Sequence, residues 1–159
     1  AMVLQDTHLF TGTVRENIRY GRENATLDEI KAAAKFANAD EFIERLPEGY
    51  DTVLAEGGSN LSQGQRQLLS IARAVLADPK ILILDEPTEG IQPSIIQDIG
   101  AAIQKINEWK GITVLLVEQY LDFVLENTNK LYVMEKGEIV YANETKLADK
   151  DEVQRLMTE

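Results

Sequence analysis

Leu61-Ser62-Gln63-Gly64-Gln65, an apolar-periodic run to Ala77, a break at Asp78-Pro79, and then Ile81-Leu82-Ile83-Leu84-Asp85-Glu86-Pro87-Thr88 form the stretch on which the fold turns. Ser62 with Gln65 three positions on reads as a capping box, each side chain serving the other's backbone amide at a helix start. Leu68, Leu69, Ile71, Ala72, Val75 and Leu76 share one face at helical spacing, so the sequence predicts a helix from near Gln63 to near Ala77, ended by Pro79. Ile81 to Leu84 is long enough for a buried parallel strand and too short for a helix core. Asp85 and Glu86 then stand at the strand's carboxyl end, the edge at which open α/β sheets take their ligands. An acidic pair there suits a magnesium ion and a general base for water. The plainer reading, that these groups only cap the helix and the next element, is compatible with it.

Either motif alone is weak, since Ser-x-x-Gln caps many helices and apolar runs often end in Asp-Glu. Together and in this order they resemble ATP-binding cassette (ABC) ATPases: Leu61 to Gln65 looks like the signature motif, Ile81 to Glu86 like the Walker B strand with its catalytic glutamate. The resemblance implies an α/β fold, a truncated P-loop NTPase-like parallel sheet with an α-helical subdomain and a C-terminal β-hairpin and helix. It implies ATP and magnesium as cofactors, with Asp85 holding the metal through water and Glu86 acting as general base. Ser62, Gly64 and Gln65 would meet ATP bound to the opposite subunit.

Met2-Val3-Leu4 is a short apolar stretch leading into Gln5. In the family a strand ending in glutamine forms the Q-loop, whose glutamine touches magnesium and the attacking water and whose loop relays motion to the membrane partner; Gln5 is the candidate, and a surface amide is the plain alternative. Asp6 to Tyr20, with Leu9-Phe10 before Gly12-Thr13 and a short helix, resembles the exporter branch. His8 is the only histidine. It has no second imidazole or carboxylate at ligand spacing, so it reads as an ordinary loop residue. Thr26-Leu27-Asp28-Glu29 is a second capping box, opening a helix through Ile30, Ala33, Ala34 and Ala37. A further short helix spans Asp40 to Arg45. Glu56-Gly57-Gly58-Ser59-Asn60 supplies glycine flexibility that lets a loop approach a partner, and a similar loop in exporters faces the coupling helices. Residues from about 10 to 77 thus resemble the family's helical subdomain. A plain four-helix reading leaves the glycine pair beside the signature without a reason.

Past Thr88 the accent changes. Exporters usually continue Ser-Ala-Leu-Asp, whereas Glu89-Gly90-Ile91-Gln92-Pro93-Ser94 resembles importers of branched-chain amino acids and urea. Pro93 and Ser94 open a helix whose Ile95, Ile96, Ile99, Ile103 and Ile106 form a core stripe, with Gly111 after its end. Ile112 to Val117 reads as the next buried strand. It leads to Glu118-Gln119, where most ABC ATPases place the switch histidine. Gln119 can donate toward a γ-phosphate but carries no proton at neutral pH, so its role is positional. Leu131 to Glu135 and Glu138 to Tyr141 form a hairpin through Lys136-Gly137, and Thr145 to Met157 reads as a final helix.

The chain has 159 residues, 44% of them apolar, which one domain with a sizeable core accommodates. A formal net charge of -11 and no basic run argue against a nucleic-acid partner. There is no cysteine, which excludes disulfides and thiolate metal sites and is compatible with a cytoplasmic location. No apolar run approaches a membrane span, so no membrane insertion is expected. The glycine-rich cradle Gly-x-x-x-x-Gly-Lys-Ser/Thr, which holds β- and γ-phosphates, does not occur in these residues. Ser62 and Gly64 cannot replace it, so this polypeptide alone is not expected to hydrolyse ATP at a useful rate. The exporter-like part, about 3 to 88, and the importer-like part, about 81 to 145, overlap at the Walker B strand, the pattern of a joined chimera. By role, residues 1 to 80 hold the Q-loop, helical subdomain and signature helix, and 81 to 159 the remaining motifs, together one compact domain. The family resemblance places a Walker A strand between the Walker B strand and Ile112 to Val117, so that here those two pair directly or a second chain fills the gap in a homodimer or domain swap. Membrane subunits of a transporter are the other implied partner. The competing functions are a catalytically silent scaffold and a module that docks on membrane subunits through Glu56 to Gly58 and the region of Gln5.

Overall fold

The computed structural model describes residues 1–158 and divides the chain into two compact units, Ala1–Val117 and the residues from Glu118 onward. The division follows contacts and falls after the last parallel strand. The division at 80/81 drawn from the motifs is one of roles.

In chain order the first unit comprises β1 (Met2–Val3), β2 (Gly12–Thr13), α1 (Val14–Arg19), α2 (Leu27–Phe36), α3 (Asp40–Glu44), β3 (Val53–Leu54), α4 (Gln63–Leu76), β4 (Ile81–Asp85), α5 (Pro93–Lys110) and β5 (Thr113–Val117). The helix α4 is its centre, with Gln67 to Ala72 and Ala74 to Leu76 all buried. A helix buried nearly all round must sit among other elements, and α1, α2, α5 and β1 surround it. Its start follows the local chemistry: the Gln65 amide donates to Ser62 Oγ at 3.1 Å and the Ser62 amide to Gln65 Oε1 at 3.0 Å. At the far end of α5, Gly111 takes the left-handed conformation at φ 65°, as a glycine C-cap does.

The helix α2 begins on the predicted capping box, with the Thr26 amide donating to Glu29 Oε2 at 2.8 Å and the Glu29 amide to Thr26 Oγ1 at 3.2 Å. The Thr26 amide, with Arg22 adding to it, holds the Glu29 carboxyl below its ordinary range. A depressed carboxyl contributes stability that is present above the ordinary glutamate pKa and lost as pH falls through the folded value. Glu29→Gln is therefore expected to lower the melting temperature at pH 7 and to leave it unchanged near about pH 2. A difference that persisted undiminished in acid would assign the effect to something other than the charge.

The sheet runs β1-β4-β5, all parallel, with Met2 opposite Ile83, Val3 opposite Leu84, and β4 and β5 in register from Ile81↔Thr113 to Asp85↔Val117. Of the two arrangements expected for β4 and β5, direct pairing is the one observed within this chain. Both strands were expected to be buried throughout, and here the structure differs. Val3, Leu82 and Leu84 are buried, while Met2, Ile81, Leu115 and Val117 are each roughly half exposed. Side chains alternate across a strand, and α4 on β1 and α5 on β5 cover a single face. The glycine loop also differs from its expected use. It forms a tight turn at Glu56–Gly58 in which Gly58 is buried and a Cβ would come within 2.7 Å of Leu9, so close packing requires glycine there.

The second unit comprises α6 (Leu121–Asn127), β6 (Lys130–Glu135), β7 (Glu138–Glu144) and α7 (Lys150–Thr158) around a small core of Leu121, Leu131, Val133 and Val153. The hairpin turns at Lys136 and Gly137, both at positive φ, as predicted. The final helix is shorter than the expected Thr145 to Met157. Thr145–Leu147 forms a separate tight turn, and Asp149 Oδ1 accepts from the Asp151 and Glu152 amides and starts α7 afresh. Among the described residues no helix is long and apolar enough to cross a membrane.

Candidate functional site

Three parallel strands direct their carboxyl ends the same way, so β1 brings Gln5, and β4 brings Asp85 and Glu86, to one edge of the sheet. The Glu86 amide donates to the Val117 carbonyl at 2.8 Å, extending the ladder one step beyond β4. Glu86 itself has φ 44°. That left-handed conformation costs a non-glycine residue about 1 kcal/mol or more, and such strain gathers at functional positions. The chain then folds over in short turns, with the Glu89 amide donating to the Glu86 carbonyl at 3.3 Å and the Ile91 amide to the Thr88 carbonyl at 3.2 Å.

Among the described residues no three His, Cys, Asp or Glu side chains converge as a metal cage. The pair Asp85 and Glu86 fits magnesium in another way, because that ion is commonly held by one or two carboxylates while water and substrate phosphates complete its shell. Gln5 stands at the same edge with an amide oxygen to add.

The signature residues occupy the start of α4. Ser62 and Gln65 are engaged with each other in the capping box. A Cβ on Gly64 would lie 2.6 Å from Ile95 Cδ1, so glycine lets the first turn of α4 approach the first turn of α5. The 14-residue helix still directs the positive end of its dipole outward at this point. Two links join this region to the carboxylate edge: Gln5 Nε2 donates to Glu89 Oε2 at 2.5 Å, and Gln63 Nε2 donates to the Glu89 carbonyl at 3.2 Å. Gln63 and Glu89 escaped the sequence reading, in which Glu89 was only an importer-like accent. A carboxylate three positions past Glu86 was the available signal. Gln119 belongs to the second unit, where its amide donates to Glu118 Oε2 at 2.8 Å. The Tyr120 amide donates to the same oxygen at 3.1 Å.

Below Gln5 the loop is fixed by a second centre that sequence reading missed. Arg73 on α4 donates to the Asn17 carbonyl at 2.8 Å, the His8 carbonyl at 2.7 Å and Asn17 Oδ1 at 3.2 Å, and its guanidinium lies over the Phe10 and Tyr20 rings. Asn17 is buried and in turn binds Phe10 through both its amide and its carbonyl. His8 thus serves through its backbone, consistent with an ordinary loop residue. Beside this centre is a half-open cavity of about 280 Å³ lined by Met2, Leu4, His8, Tyr20, Ser70 and Arg73. The buried Ser70 hydroxyl has no hydrogen-bond partner among the described residues.

A parallel sheet with an acidic pair at its carboxyl edge, facing a helix start across a turn, is an α/β layout for phosphate chemistry. The ABC transporter family model matches residues 1–89, more than half of the chain, and the chain belongs to that family. It is 51% identical over 138 residues to the uncharacterized ABC transporter ATP-binding protein YfiC of Bacillus subtilis, covering 87% of this chain and 22% of that one. It is 44% identical over 157 residues to an ATP-dependent lipid A-core flippase of Syntrophus aciditrophicus, covering 98% of this chain and 26% of the flippase. The structure of a bacterial Atm1-family ABC exporter with ATP bound is similar over 98% of this chain and 26% of its own, at TM-score 0.82 and 33% identity. The chain therefore spans about a quarter of the length of these relatives. It has the mixed α/β fold of an ABC ATP-binding domain, with exporter-type homologues.

Proposed function

We propose that this chain is the part of an ABC transporter ATP-binding domain that runs from the Q-loop to the switch region, and that it works in a composite MgATP site driving transport. The observation that carries this reading is the shared sheet edge of Gln5, Asp85 and Glu86, tied to the start of α4 through Glu89. Asp85 would hold magnesium through water, where the ion would supply neutralisation of phosphate charge. Glu86 accepts a proton from the attacking water, and Gln5 orients that water. Ser62, Gly64 and Gln65 present the start of α4 to nucleotide held by a second, identical subunit. The phosphate cradle comes from a glycine-rich loop outside residues 1–159. The membrane subunits of a transporter are the coupled partner, which places the chain in the cytoplasm. A chimera of two family branches rests on the importer-like run Glu89 to Ser94 alone, since the flippase relative matches on both sides of Thr88, over 157 residues.

The experiment is MgATP binding and turnover by the purified chain, with and without a polypeptide carrying the glycine-rich loop. The chain alone should show no turnover. With the loop supplied, turnover should appear and should fall by about 10²–10⁴-fold in Glu86→Gln. Turnover by the chain alone that vanished in Glu86→Gln would overturn the reading. A second role, docking on membrane subunits, is favoured by the cavity beside Gln5 with its exposed Tyr20 and unpartnered Ser70 hydroxyl. Binding of coupling-helix peptides separates it from a silent scaffold.

A further inference from the structure

We propose that Glu89 is a positioning residue: its carboxylate fixes the orientation of the Gln5 amide, and the same residue, through its backbone, anchors the start of α4 to the carboxylate edge. The argument begins with the glutamine. Its two terminal atoms are nearly the same size and opposite in chemistry, the oxygen offering lone pairs and the nitrogen offering N–H groups. Which end Gln5 presents decides whether it serves a cation and water or a phosphate oxygen. An ionised carboxylate only accepts hydrogen bonds, so a carboxylate neighbour settles the choice. Glu89 Oε2 takes one N–H of the Gln5 amide at 2.5 Å, which turns the nitrogen end toward Glu89 and the oxygen end away from it.

The backbone of the same residue does a second thing. Gln63 Nε2 reaches the Glu89 carbonyl at 3.2 Å, and Gly90 permits it: at φ 71°, a Cβ on residue 90 would come within 3.1 Å of Gln63 Oε1. Residue 89 thus joins the segment after β1, the turn after β4 and the first residue of α4, which are separated by 84 and 26 positions in sequence. The side chain also distinguishes this chain from the exporter pattern it otherwise resembles. The usual serine at this position is too short to make the same contact with Gln5, so the tether is a property of the Glu89-Gly90 turn.

The inference takes its mechanistic meaning from the proposed MgATP site but is tested without nucleotide. In ¹⁵N-labelled protein, with the Gln5 side-chain signals assigned through Gln5→Ala, one of the two Nε2 protons should lie downfield of the other and exchange slowly. That signature should be lost in Glu89→Ala and Glu89→Ser and be retained in weaker form in Glu89→Gln. Glu89 is exposed, so the backbone spectrum of each variant should be otherwise unchanged. Manganese, used as the magnesium probe, should broaden the Glu86 amide in wild type and variants alike. Broadening of the Gln5 side chain should be several-fold weaker in Glu89→Ala. A Gln5 signature that survives Glu89→Ala overturns the tether. No broadening at Glu86 in any form overturns the carboxylates as a metal site and leaves the tether standing.

Discussion

Gly21→Ala is expected to destabilise the first unit by on the order of 3 kcal/mol, read as a fall in the urea midpoint at unchanged slope. The added Cβ would stand 2.0 Å from the Arg73 carbonyl oxygen and 3.0 Å from its carbonyl carbon. Both atoms are backbone, inside α4, and cannot turn aside as a side-chain tip can. Relief requires α1 and α4 to part, at an interface where Val14 and Ile18 on one helix and Leu69 on the other are almost wholly buried. Gly57→Ala makes the opposite comparison. A Cβ there meets nothing within 4 Å, so only its φ of 64° opposes the change. A loss of less than about 1 kcal/mol at Gly21 would show that the two helices separate easily.

Arg73→Met should cost a similar amount, about 3 kcal/mol, for a different reason. Methionine keeps most of the apolar stem and removes the donors. The Asn17 main-chain carbonyl then loses its charged partner, and an unmet buried acceptor costs about 1–3 kcal/mol. Burial works against the charge of Arg73, shifting its pKa downward, yet a guanidinium keeps its proton in any protein, so the charged hydrogen bonds are permanent. The effect should be local as well as global. The Phe10 amide, held by Asn17 Oδ1 at 2.8 Å, should exchange with deuterium well before the amides of α4 do. Unchanged protection at Phe10 would mean that Asn17 organises the loop without Arg73.

Much of this arrangement is legible from local chemistry. The predicted helix from Gln63 to Ala77 is observed as Gln63–Leu76, because Ser62, Gln65 and Pro79 fix its ends without reference to the rest of the chain. Pro93, Gly111 and the Lys136-Gly137 turn were readable for the same reason. The carboxylate edge was readable because a strand that ends in Asp85-Glu86 carries both facts in adjacent residues. What escaped depends on distant partners. The two-residue strands β2 and β3 have no period to detect and exist only by pairing with each other. The α6 helix has no side-chain cap of its own at Tyr120. The half-open sheet could not be inferred from apolar runs that read as covered on both faces. Glu89 and Arg73 act through bonds spanning 84 and 65 positions, which no local pattern announces.

The β1 strand is only two residues long, and its partner in the sheet lies about eighty positions further on. Closing a flexible loop of that length costs about 4 kcal/mol in chain entropy, and the bonds that repay it form only once β4 is in place. During synthesis the segment bearing Gln5 is made early and docks late, after α2 and α4 have had time to form from contacts close in sequence. The glutamine side of the site therefore cannot assemble before β4, and any slowing of β4 leaves Gln5 waiting in an unpaired stretch.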